Sequence, residues 1–513
     1  MAGDRQVADS MVIRGRIIEA VGNGLRDDDD YRDAKSVDLK GKTVIPGLVD
    51  SHTHFLFMAT SLDNVKLDGL DSLEAVLGKI KKHSSKLKKN EWVVGEGFQP
   101  ARWKDPIMPD RYMLDKVTGG RPAAIFSKDQ HMMWANSKAL EKAGLSKDTP
   151  NPEGGRVMRL GDNEPSGIMM EIPGFFPVIK VITPPSKARQ AQLYKMALAL
   201  AYSRGVTGVH TMDGPEALKF FAESKSGEPL GLRITYYPPP SLLNELKKRK
   251  MTFNSGNDYF RVGGIKIFAD GSLGSQTALC FNKYKGSGDN YGVEVTSVKD
   301  MTGFIKRARK GGFPCAIHAI GDKAVSNVLE AFEKGPKPPK VANHRIEHLQ
   351  MIRRKDISRL KRLGVVASMQ PSHCPSDIKL IENYWGSRGR NCYIFRTLLE
   401  NMVPLVFGSD APIEPLDPIA GISDAVNRTA PGSSKAFYPE ERISNYQALL
   451  GFTASPWEAV GRGFELGRLL PGYFADFVIL SDDIVKAGRK RIKSVRVEAT
   501  YFDGKPVYKR AGK

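Results

Sequence analysis

Hydrophobic residues in this chain gather in short runs, and the pattern of polar residues between them changes along its length. Near the start, MVIRGRIIEAVG alternates apolar and polar positions around Arg14-Gly15, which predicts two short strands, with the acidic loop Asp27 to Asp30 after them. FADFVILSDD, SVRVEATYFDG and KPVYKR repeat that texture at the far end, where Asp-Gly is a strong hairpin signal. Two β pieces at opposite ends most simply form one small β-sandwich domain, built from residues 1–43 and 465–513.

Between them, apolar runs alternate with helical stretches such as ALKFFAESK, AVSNVLEAFEK and DISRLKRLG, the βα texture of a parallel sheet. The candidate strands are VIPGLVDSH (44–52), VTGVHTMD (206–213), LRITYY (232–237), VGGIKIFADG (262–271), FPCAIHAIG (313–321), ANHRIEHL (342–349), VVASMQP (365–371) and VPLVFGSD (403–410). Eight such strands predict an α/β fold, a (β/α)8 TIM barrel over residues 44–464. The count holds only if residues 58–190 form an insertion after strand 1, with their own strands EWVVGEGF and AAIFSKD and helix NSKALEKAG. Barrel insertions fall naturally on the βα loops, where this one would act as a lid or substrate subdomain. No internal repeat is evident.

A chain of 513 residues, 41% hydrophobic and 26% charged, suits a large catalytic core with a smaller module and excludes the disordered and collagen-like classes. No run approaches the roughly 18 apolar residues of a membrane span, and MAGDRQVADS lacks a signal-like apolar stretch, so a cytoplasmic protein is expected. Cys280, Cys315, Cys374 and Cys392 form no CxxC pair and are expected to be reduced thiols. The net charge of +20 raises the possibility of a nucleic-acid partner. Its lysine-rich runs, KIKKHSSKLKKN, KKRK and RKRIK, lack interleaved aromatics, and a solvated surface is the simpler reading.

Chemistry enters where the predicted strands end. His52 and His54 close the first, Lys266 sits in the fourth, His318 in the fifth, His348 ends the sixth and Asp410 the eighth. Barrel strand ends converge on one mouth, and alternate residues of a strand share a face, so His52 and His54 can both turn to one metal. A lone histidine is usually a packing residue; four histidines and an aspartate at one end form a donor set suited to zinc or a similar divalent ion. Lys266 lies among apolar neighbours in GGIKIFADG. It either pairs with an acid such as Asp270 or, deprotonated by burial, reacts with carbon dioxide to give an anionic carbamate; beside the histidines the carbamate is favoured. Gln370 ends the seventh strand and faces the mouth, where it could meet substrate. Arg345 and Glu347 flank the histidine face, Arg345 as an ion-pair partner, and His210, His344 and His373 are assigned supporting or loop roles.

With these residues in place, the chain resembles the amidohydrolase superfamily and, within it, the YtcJ-like branch, amidohydrolase family 3. The motifs are GKTVIPGLVDSHTH, NSKAL, IKIFADGSLGSQTA, HAIGDKAV, HRIEHLQ, MQPSHCPSD, FGSDAPIEPLDP and GRLLPGYFADFVIL, in that order over almost the whole chain. The resemblance implies a cofactor of two Zn2+ ions, one on His52, His54 and Asp410, the other on His318 and His348, bridged by carbamylated Lys266. It implies hydrolysis of a non-peptide C–N bond in a small amide, N-acyl or N-formyl compound by a hydroxide made at the metal, with Asp410 as general base and then acid and His131 as a donor from the insertion. An ester or lactone hydrolase using the same site is the near alternative, and a basic nucleic-acid-binding protein on a barrel scaffold the alternative of another class. A homodimer is also implied. The insertion departs from the family pattern at Phe98-Gln99 and Asp129-Gln130-His131, so Phe98 and Trp103 are expected to join Gln370 in an altered substrate pocket.

Overall fold

The computed structural model describes residues 7–222 and 230–511. The first six residues and the end of ALKFFAESK, beyond Ala222, therefore lie outside the described residues. The chain divides into two compact units: Met1–Met58, Tyr194–Ile267 and Val298–Lys513 form one, and Ala59–Leu193 with Phe268–Ser297 form the other.

In the first unit, β1 (Ser10–Arg14) and β2 (Ile17–Gly22) make an antiparallel hairpin, and Gly15, at φ 62°, occupies the left-handed backbone its turn needs. β3 (Thr43–Pro46) belongs to a second antiparallel sheet, shared with strands from the far end of the chain. The parallel strand β4 (Leu48–Thr53) begins two residues later. The run predicted as one strand at 44–52 is thus two strands in two sheets, a correction with a steric cause at Gly47. A Cβ there would lie 2.1 Å from Thr207 Oγ1, while its N–H donates to Asp476 O in one sheet and Leu48 N–H to Gly205 O beside the other.

The second unit carries a six-stranded mixed sheet of β5 (Val65–Lys66), β6 (Val93–Phe98), β7 (Ala123–Ser127), β8 (Met132–Ala135), β9 (Arg156–Arg159) and β10 (Pro165–Met170), ordered β5-β6-β7-β8-β10-β9. Strand alternation places apolar residues on both faces. Ala123 and Ile125 join one cluster, Ala124 and Phe126 the other. Phe98 and Trp103 are fully packed inside the first cluster with Leu114, Trp134 and Ile168. Their place is the core of the insertion, because a sheet covered on both faces draws its large aromatics inward. The predicted lysine run 79–90 lies on and just after the helix Leu73–Ser84, which is capped by Ser72 and buries Val76 and Ile80. Its lysines point to solvent, as do those of KKRK and RKRIK.

Back in the first unit, β11 (Val206–Thr211), β12 (Arg233–Tyr236) and β13 (Phe260–Val262) extend β4 into a four-stranded parallel sheet. β14 (Ile265–Phe268), β15 (Cys315–Ala319), β16 (Arg345–His348), β17 (Val366–Met369) and β18 (Leu405–Phe407) form a second sheet in chain order, parallel from β15 onward. Each of the eight predicted runs contains a strand of these sheets. The fourth is broken at Gly263-Gly264, where a Cβ on Gly263 would strike Thr235 Cγ2 at 2.5 Å and the Tyr237 ring at 2.8 Å. Backbone bonds from Asp410 N to His52 O (2.7 Å) and from His54 N to Ala411 O (2.8 Å) bring the end of β18 back to β4. Between strands, the helix Asp322–Lys334 buries Ala324, Val325, Val328, Leu329 and Phe332 at the i, i+3, i+4 spacing of one apolar face.

β19 (Phe477–Leu480), β20 (Val497–Phe502) and β21 (Lys505–Lys509) complete the terminal sheet, with β3 on β19 and the predicted Asp503-Gly504 hairpin between β20 and β21. Ile18, Phe477, Ile479 and Ala499 share its core. The buried Arg233 guanidinium reaches from β12 to Asp476 and Asp503. The four cysteines are buried, and among the described residues no helix is long and apolar enough to cross a membrane.

Candidate metal centre

The strand ends of the first unit bring His52, His348 and Asp410 together, each offering one ligand atom within 4.8 Å of the others. His52 Nε2 and Asp410 Oδ1 lie 3.4 Å apart, buried, and neither has a hydrogen-bond partner. Buried polar atoms left without partners are costly. A cation between them would satisfy both, so the donor set fits a divalent ion. His54 Nε2 stands 3.4 Å from the same Asp410 oxygen, and the His318 ring packs edge-on against His348 at 4.5 Å.

His52 and His348 are each oriented by a partner on the other side of the ring. His52 Nδ1 is 2.6 Å from Glu347 Oε2, both side chains fully buried. Burial opposes ionisation of Glu347, but Arg345 and His52 outweigh it and hold the carboxyl well below the usual range. An ionised carboxylate only accepts, so Nδ1 carries the proton and Nε2 keeps its lone pair for a metal. His348 Nδ1 likewise donates to Gln370 Oε1 at 2.8 Å. Gln370, expected to meet substrate, is buried in this supporting bond. Burial lowers the His52 pKa to about 4, with Lys266 adding to it, and burial and the neighbouring histidines push His348 well below its ordinary value. Both rings are therefore neutral, as ligands must be.

Lys266 is buried beside this group. Burial brings its pKa down to about 8 although Glu347 and Asp410 pull the other way, so a share of it is neutral amine near pH 7.5.

Two residues build the frame, of which the sequence singles out only the first. Glu347 is one; alternation turns it away from His348 and onto His52 and Arg345. Asp50 is the other, two residues before His52 and on the same side of β4. Its carboxylate accepts from Ser409 N (3.0 Å) and His52 N (3.1 Å), tying β4 to the loop that carries Asp410, and burial pushes it up to about 7. Gly408 makes this approach possible, since a Cβ would sit 2.4 Å from His52 N. His348 and Asp410 adopt left-handed backbone, φ 71° and 61°, the kind of strain that clusters at functional sites. Arg345 donates to His210, Tyr237, Ser51 O, Ser368 and Glu347. His210 is thereby a supporting residue. His344 accepts from Cys315 N and stacks on Phe332.

His131 lies in the second unit. Its Nδ1 is 2.7 Å from Glu171 Oε2, and Asp129 beside it accepts from Ser127, Ser272 and Ser275. Burial alone would lower the His131 pKa, but Glu171, with Asp129 and Asp270 behind it, raises it from 6.5 to about 9. A raised pKa contributes stability that is complete below pH 6.5 and is lost as pH climbs through 9. Denaturant unfolding should thus show wild type losing up to roughly 3 kcal/mol across that window. His131→Asn should lack this component; a parallel decline in both proteins would assign it to other groups.

An α/β protein with a buried histidine and aspartate centre fit for a divalent ion defines the class. Residues 35–508 match the amidohydrolase family, and the chain belongs to it. It is 32% identical over 532 residues to Protein LONG AFTER FAR-RED 3 of Arabidopsis thaliana, covering 98% of this chain and 88% of that one. It is 26% identical to the N-substituted formamide deformylase of Arthrobacter pascens, over 94% of this chain and 91% of that one. Among solved structures, a metal-dependent hydrolase of Pyrococcus horikoshii OT3 superposes with a TM-score of 0.74 at 28% identity, covering 94% of this chain and 95% of that one. The chain is a hydrolase of the amidohydrolase family.

Proposed function

We propose that this hydrolase cleaves a non-peptide C–N bond in a small amide, N-acyl or N-formyl compound. We read its two parallel sheets as one closed (β/α)8 barrel with the centre at its mouth. His52, His54 and Asp410 would hold one zinc ion, His318 and His348 a second, with Lys266 as a bridging carbamate. The convergence of His52, His348 and Asp410, with a buried lysine of lowered pKa beside them, carries this reading. The formamide deformylase relative supports the bond class.

Bound there, the ions would supply an activated water and a Lewis acid for the carbonyl oxygen. Asp410 accepts the proton of the attacking water and passes it to the leaving nitrogen as the C–N bond breaks. Glu347 and Gln370 hold the ligand rings in their working tautomers. The donor role expected of His131 is proposed on its charge alone.

The test is metal content by plasma mass spectrometry, on protein purified without chelators, for wild type and Lys266→Ala. Two equivalents of zinc should fall to one or none, with amide hydrolysis lost across a panel of amides and esters. Wild type that takes up no metal, even on reconstitution, would defeat the proposal.

A further inference from the structure

His373, assigned only a loop role from the sequence, opens the helix His373–Leu380 just after β17. Its Nε2 is buried without a hydrogen-bond partner and lies 3.9 Å from Asp410 Oδ2, and its ring runs nearly parallel to His348, 6.1 Å away. It differs from the ligand histidines in one respect. His52 and His348 each have a second partner that fixes the ring, Glu347 and Gln370, as metal ligands almost always do. No such bond holds His373 among the described residues.

Asp410 divides its oxygens between two sides. Oδ1 faces His52 and His54; Oδ2 faces His373. With Oδ1 turned to the ligands, the proton Asp410 carries is delivered from Oδ2, and the atom receiving it must stand beside His373. The gap of 3.9 Å is too long for a direct hydrogen bond. It suits one shared atom, because two bonds of about 2.9 Å meeting at a single nitrogen span that distance. In the tautomer protonated at Nδ1, Nε2 is an acceptor for a hydrogen on that shared atom.

We propose that His373 is a catalytic residue that accepts the N–H of the leaving amine, aiming the nitrogen lone pair at Asp410 Oδ2. The proposal rests on the hydrolase reading above and deepens it. As the C–N bond breaks, its electron pair stays on nitrogen, the proton moves from Asp410 to that pair, and His373 keeps the original N–H. The site then selects amides whose nitrogen bears a hydrogen over N,N-disubstituted amides and esters, which offer Nε2 nothing to accept.

The experiment compares formanilide, N-methylformanilide and phenyl formate on wild type, His373→Phe and His373→Gln, with zinc content and the visible spectrum of the cobalt-substituted proteins measured alongside. His373→Phe should lose about 100-fold in kcat/KM on formanilide and less than about 3-fold on the other two, with His373→Gln restoring part of the loss. Metal content and cobalt spectrum should match wild type. Equal losses on all three substrates, or a changed spectrum, would overturn the assignment and leave the hydrolase reading standing. Wild type inactive on every amide and ester tried removes the hydrolase reading and this assignment with it.

Discussion

Asp410→Asn should lower kcat by about three orders of magnitude while leaving the fold intact. Burial opposes ionisation of Asp410, but His52 and His54 hold it well below the usual carboxylate range. In the native protein it is therefore an anion, ready to accept a proton. Asparagine keeps the shape and one acceptor oxygen but cannot carry that proton. It also tolerates the left-handed backbone found at this position, φ 61°, so little strain is added. Steady-state kinetics with thermal unfolding would separate the effects. A variant that keeps more than a tenth of wild-type kcat would remove Asp410 from the proton path.

The second large effect belongs to Arg345→Met. Methionine fills much of the volume but strips five partners of their donor and leaves the Glu347 carboxylate buried without its cation. Breaking a buried pair from one side costs about 3–5 kcal/mol. The damage extends to the metal. Without Arg345, Glu347 is drawn to take a proton and no longer fixes His52 Nδ1–H, and loss of such a partner weakens metal binding about 10–100-fold. Urea unfolding and zinc titration read the two effects. Arg345→Met combined with Glu347→Gln should recover part of the stability, since the orphaned charge is gone. A single-variant cost below about 1 kcal/mol would show that water or a shifted side chain replaces Arg345.

His52, His348 and Asp410 are legible in the sequence because each ends an apolar run, and the strand ends of the first unit bring these three together. The sheet boundaries are not legible there. VIPGLVDSH reads as one run because both of its halves are buried, and periodicity reports burial without naming the sheet. The break at Gly47 depends on Thr207, far along the chain. Residues 268–297, inside the span that the sequence reads as barrel, cluster with 59–193, a long-range grouping that periodicity does not report. Phe98 and Trp103 look like pocket aromatics in sequence but pack a second core. Glu347 reads as an acid next to a histidine; its bonds to His52 and Arg345 exist only once β4 and β16 lie in one structure.

The pairing of β3 with β19 sets a timetable for synthesis. Val44 faces Ile479, and His52 meets Asp410, across most of the chain. At roughly 5–20 residues per second, β3 waits tens of seconds on the ribosome before its partner strand emerges. Throughout that interval a short apolar edge and two histidines are exposed without their complements, and contacts of such long sequence separation form slowly. Emergence of Asp410, and later of β19, rather than growth of the first half, is what lets first the metal-binding geometry and then the terminal sheet form.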